Sequence, residues 1–105
     1  MRKLIVTVLA AGSLAAVVPA IAQASPIREC GRIARIVPNS PAGLWNITTR
    51  NVACPYARRF AVQVTAHMAH HWAGFTCRHY FYNHGFVFDI RCVRGSQVIH
   101  WQGGD

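Results

Sequence analysis

Acidic residues are nearly missing from this 105-residue chain: Glu29, Asp89 and Asp105 stand against eleven Lys and Arg. So few carboxylates leave no carboxylate pair for general acid–base chemistry. No Glu follows a His at the zincin spacing. A Ser-His-Asp motif and a phosphate-binding loop are missing too. No C-x-x-C occurs, so neither a zinc knuckle nor a redox motif is suggested. No internal repeat or low-complexity stretch is present, and no apolar run reaches the roughly 20 residues that span a bilayer. These absences lean against an enzyme, imply no cofactor and leave no transmembrane segment in a processed chain.

What is there begins with an export pattern. Arg2 and Lys3 precede an uncharged apolar run over 4–18, Pro19 breaks it, and Ala22-Gln23-Ala24 supplies the small residues read by signal peptidase. The expectation is a signal peptide over 1–24, bacterial in style, and a secreted or periplasmic product. The nearest cysteine, Cys30, lies too far from that point for a lipoprotein. Lys3 is the sole lysine and leaves with the leader, so the remainder carries nine arginines against three acids, a net charge of +6 with neutral histidines.

Four cysteines, Cys30, Cys54, Cys77 and Cys92, then meet an oxidising compartment, and two disulfides are expected. A chain of about 80 residues has a marginal core, and each native bridge is worth roughly 2–5 kcal/mol. Four cysteines allow three connectivities. The favoured one is Cys54–Cys92, stapling the helix start to the central strand, with Cys30–Cys77 tying the N-terminal segment to the sheet. A free Cys54 at a helix N-terminus would instead be a reactive thiol.

The organisation expected after the leader is an irregular segment over 25–43, punctuated by Pro and Gly and able to lay one short strand, then a disulfide-stapled domain over 44–105. Residues 44–52 read as a strand. Pro55 suits the first turn of a helix, with Cys54 as its cap. Ala57, Phe60, Ala61, Val64, Met68 and His71 form one stripe at offsets of three and four, and Gly74 is the expected stop. Three strands follow. Gly95-Ser96 makes a two-residue turn pairing Arg94 with Gln97, Cys92 with Ile99 and Ile90 with Trp101. Phe86, Phe88, Ile90 and Cys92 then share the core face, opposite Val87, Asp89 and Arg91. The turn at Asn83-His84-Gly85 admits two registers. A two-residue turn pairs Phe81 with Phe86 and puts Cys77 on the core face, whereas a three-residue loop pairs Tyr82 with Phe86 and turns Cys77 outward. The fold class expected is α+β: one helix packed on a small antiparallel β-meander, stapled by disulfides and of a size for a monomer.

The order Val52-Ala53-Cys54, Ala57-Arg58, Gly74-Phe75-Thr76-Cys77 and Ile90-Arg91-Cys92 resembles small secreted four-cysteine proteins of actinobacteria over 47–101. The resemblance implies export and fold and no activity.

Two constellations carry chemistry. The arginines, with interleaved tyrosines, suit bidentate pairing to phosphate or carboxylate and stacking on sugars or bases. Arg58, Arg59, Arg78, Arg91 and Tyr80 are the candidate surface for an anionic partner: a cell-envelope polymer, acidic lipid, nucleic acid or acidic protein. The alternative is a histidine metal site, with His67 and His71 one helical turn apart holding zinc or copper. A third, weaker reading is a small secreted nuclease or hydrolase using His79 or His100 with Arg91 and Asp89. It is opposed by the expectation that Asp89 points away from the core.

Overall fold

The computed structural model describes residues 25–36 and 42–104. The leader read over 1–24, residues 37–41 of the N-terminal segment and Asp105 lie outside the described residues.

Strands β1 (Arg28–Ile33) and β2 (Gly43–Arg50) lead into helix α1 (Cys54–His67), followed by β3 (His71–Trp72), β4 (Phe75–Tyr82), a 3-10 turn (Asn83–Gly85), β5 (Val87–Arg94) and β6 (Gln97–Gly104). They form one six-stranded sheet in the order β1-β2-β6-β5-β4-β3, antiparallel throughout. The α+β class holds, with more sheet than a small meander. The meander β3 to β6 is extended by β2, which pairs with the last strand, and by β1. Arg28–Ile33, read above within an irregular segment, is thus a sheet strand.

The helix starts one residue earlier than its sequence predicts: Ala53 is the cap, and Cys54 is already helical. Pro55 sits in the first turn, and Ala57, Phe60, Ala61, Val64 and Thr65 are buried. It ends earlier than the stripe suggested. Met68 takes a left-handed conformation (φ 46°), and the N–H groups of Met68 and Ala69 donate to the carbonyls of Thr65 and Val64. This closes the helix in the manner of a Schellman motif. Gly74 is therefore no helix stop. Ala73 and Gly74 (φ 51° and 86°) make the two-residue turn that pairs Trp72 with Phe75.

One sheet face receives the helix. Phe60 packs against Phe75 (ring centroids 4.7 Å) and meets the edge of Trp101 (6.1 Å), while Leu44, Ile47, Ile90 and Ile99 complete the core. The fully buried Trp101 satisfies its indole by donating from Nε1 to Thr65 Oγ1 at 2.9 Å. An isolated indole N–H there would cost about 1–3 kcal/mol.

The β5–β6 register is the one expected: Arg94 pairs with Gln97, Cys92 with Ile99 and Ile90 with Trp101. The β4–β5 turn follows neither expected register. Tyr82 pairs with Val87, so four residues, Asn83 to Phe86, make the connection. Asn83, His84 and Gly85 all have positive φ, which builds a longer turn than either sequence pattern assumed. The odd-numbered core face of β4 nonetheless survives, so Cys77 is buried. Phe86 moves from the expected core face into the turn and is 63% exposed.

The disulfides are Cys30–Cys54 and Cys77–Cys92, correcting the expected Cys54–Cys92 and Cys30–Cys77. Register is the reason. Cys77 lies directly opposite Cys92, and its N–H donates the other way, to the His70 carbonyl at 2.7 Å. The strands approach most closely at such a non-hydrogen-bonded pair, here 4.0 Å between Cα atoms. The helix start instead lies against β1, where Arg58 Nη1 donates to the carbonyls of Cys30 and Arg32 at 2.9 and 3.0 Å. Cys54 is then 5.2 Å from Cys30, Cα to Cα. No described cysteine is free, which removes the reactive-thiol alternative.

Candidate anion-binding face

The helix covers one face of the sheet, and alternation assigns the other. Thr76, Arg78 and Tyr80 on β4 share it with Asp89, Arg91 and Val93 on β5, because Thr76 pairs with Val93, Arg78 with Arg91 and Tyr80 with Asp89. His100 on β6 pairs with Arg91 and with Thr48 on β2, and Arg50 pairs with Val98, which extends the face to β2.

Arg78 and Arg91 are thus direct cross-strand neighbours, both exposed. Neither guanidinium makes a hydrogen bond or ion pair among the described residues, and neither does that of Arg50. Like charges directly opposite each other destabilise a strand pair. Tyr80, 50% exposed, stands one outward position further along β4. A shallow groove runs between Thr76, Arg78, Tyr80, Arg91 and Val93, and a second one joins Arg91 to Arg50, Thr48 and His100. Planar guanidinium forks beside a phenol ring suit a phosphate, carboxylate or sulfate carried on a sugar or an extended polymer.

The acid nearest this pair is already engaged. Asp89 Oδ1 accepts from His100 Nε2, an ion pair when the imidazole is protonated. Asp89 does point away from the core, as expected, but His100 and Arg91 share that face. The three groups drawn together for the hydrolase reading therefore meet, whereas His79 lies on the other face. Its Nε2 is 2.9 Å from the Ala69 carbonyl, and its ring stacks on His70 at 4.5 Å.

The five residues assigned from sequence divide. Arg78, Arg91 and Tyr80 come together. Arg58 belongs to the fold, clamping β1 to the helix, and Arg59 lies on α1 beside Tyr56, Gln63 and Trp72, across the sheet from the pair. Arg94 is likewise structural. It donates to the Ala73 carbonyl and to Gln97 Oε1 and covers the Phe75 ring at 4.4 Å. Sequence reasoning gave no special place to Arg50, and named His100 as the alternative to His79 in the hydrolase reading. The β5–β6 register predicts the position of His100, whereas that of Arg50 needs the β2–β6 pairing, which no local pattern signals.

The histidine alternative loses its geometry. The helix ends at His67, whose Nδ1 lies 2.9 Å from the Gln63 carbonyl and whose ring sits on Trp72, while His71 belongs to β3. The two are therefore not one helical turn apart. Among the described residues, no group of three or more His, Cys, Asp or Glu is placed to hold a metal ion.

Two disulfides fit an oxidising, extracytoplasmic setting, and no described helix is long and apolar enough to cross a membrane. No protein-family model, curated protein or solved structure matches this chain.

Proposed function

We propose that this chain is an exported, disulfide-stapled module that binds an anionic partner through the uncovered face of its sheet. The observation that carries this reading is the Arg78–Arg91 pair: two opposed guanidinium groups, both exposed, with no acidic partner among the described residues and with Tyr80 alongside. Repulsion between them is relieved when a shared anion sits over both. The net charge of the chain adds long-range attraction. Export rests on the leader pattern over 1–24 and agrees with the disulfides. The expected result is salt-sensitive binding of a soluble polyphosphate, weakened at least tenfold by Arg78→Gln with Arg91→Gln, at an order of magnitude set by two lost charge-assisted contacts. Binding that ignores salt, or that survives this double substitution, refutes the reading.

The contact between Asp89 and His100 beside Arg91 favours one second reading, hydrolysis of a phosphodiester with His100 as the base and Asp89 orienting it. It requires turnover of RNA or DNA that disappears in His100→Ala. No turnover by the unaltered protein removes it.

A further inference from the structure

The β4–β5 hairpin ends in exposed aromatic side chains. The exposed large hydrophobic residues among those described are Ile27, Tyr56, Met68, Tyr80, Phe81, Tyr82 and Phe86, and the last four lie in this one hairpin. They are not confined to one face. Tyr80 and Tyr82 alternate onto the outer face, Phe81 onto the helix side beyond the main core, and Phe86 stands in the turn. Apolar rings exposed on several sides of one hairpin end match a surrounding medium better than a single groove.

The chemistry is also layered along the hairpin. Phe86 lies at the turn, and the Tyr82–Val87, Phe81–Phe88 and Tyr80–Asp89 pairs follow. The Arg78–Arg91 pair comes four residues behind Tyr82, roughly 13 Å at about 3.3 Å per residue. Asp89, the acid within this stretch, is held by His100. Phe86, Tyr82, Phe81 and Tyr80 towards the end of the hairpin, with the arginines behind them, follow the order apolar and amphipathic rings at the interface, then cations at the anionic surface layer. Charge complementarity selects an anionic bilayer over a neutral one. It also disfavours a second copy of this basic chain, which would bring Arg78 towards another arginine-bearing edge.

We infer that the aromatic tip of the β4–β5 hairpin, Tyr80 to Phe86, dips into the interface of an anionic lipid membrane while Arg78 and Arg91 engage its headgroup phosphates. This rests on the anionic-partner reading and names the partner as a lipid surface.

Co-sedimentation tests it with vesicles of phosphatidylglycerol in phosphatidylcholine, vesicles of phosphatidylcholine alone, and soluble polyphosphate as a separate ligand. The expected result is binding to the anionic vesicles only. Phe81→Ser with Phe86→Ser lowers vesicle affinity about tenfold or more and leaves polyphosphate binding unchanged. Arg78→Gln with Arg91→Gln weakens both, by about fivefold per arginine at the vesicle surface. Phe86→Trp retains vesicle binding and its emission shifts to the blue. Vesicle affinity unchanged by the phenylalanine substitutions overturns the inference, as does the lack of a blue shift. Polyphosphate binding without vesicle binding overturns it while sparing the anionic-partner reading, and failure with both ligands refutes both. Self-association of the unaltered protein that the phenylalanine substitutions abolish would make the tip an interface between copies, and also overturns it.

Discussion

Replacing Arg58 by Met separates the arginines that build this fold from those left free for a ligand. Arg58 Nη1 donates to two carbonyls of β1, Cys30 at 2.9 Å and Arg32 at 3.0 Å. Both bonds hold an edge strand whose pairing with β2 is interrupted by register shifts on either side of Gly31. Hydrogen bonds to a charged donor are worth about 1.5–3 kcal/mol each, and partial exposure puts these two at the lower end. Methionine preserves most of the apolar stem, so the loss is set by the bonds, about 3 kcal/mol in total. For a domain of this size that lowers Tm by roughly 10–20 °C. The assay is a thermal melt by circular dichroism without reductant, so that Cys30–Cys54 remains closed in both proteins. Affinity for polyphosphate should change by less than about threefold, because Arg58 lies across the sheet from the Arg78–Arg91 pair and distant charges are screened. An unchanged Tm with lost polyphosphate binding would place Arg58 in the ligand site and refute the reasoning.

Peptide mapping without reduction should recover Cys30 linked to Cys54 and Cys77 linked to Cys92; removing the second pair as serines should cost about 3 kcal/mol in a denaturant titration, the entropy of a 15-residue loop. Thr65→Val should cost about 1–3 kcal/mol by leaving the Trp101 indole N–H buried without an acceptor, again read by denaturant titration. Arg91→Gln should leave stability unchanged or raise it by up to about 1 kcal/mol, because it ends the opposition with Arg78.

Local chemistry was legible wherever one short pattern determines it. Gly95-Ser96 sets the β5–β6 register, and with it Cys92 beside Ile99 and Ile90 beside Trp101. The stripe from Ala57 to Val64 sets the buried face of the helix. The other features depend on partners remote in sequence. Two residues, His71 and Trp72, are too few to show strand periodicity, and the left-handed turn at Met68 has no glycine to announce it. The pairing of β2 with β6 joins elements almost fifty residues apart, so Arg50 was not seen to share a face with Arg91. The cysteine connectivity turned on the Asn83–Phe86 turn, whose four residues, three of them at positive φ, bring Cys77 opposite Cys92. The contact between His100 and Asp89 was within reach, since the β5–β6 register already puts both on the outer face.

The central claim is that Arg78 and Arg91, which have no acidic partner among the described residues, share an outside anion. The most direct test is the salt dependence of polyphosphate affinity for the unaltered protein and for Arg78→Gln with Arg91→Gln. Each lost phosphate contact should reduce the slope of log affinity against log salt by about 0.7–0.9, so the double substitution should flatten it by roughly 1.4–1.8. Parallel slopes for the two proteins would contradict the claim.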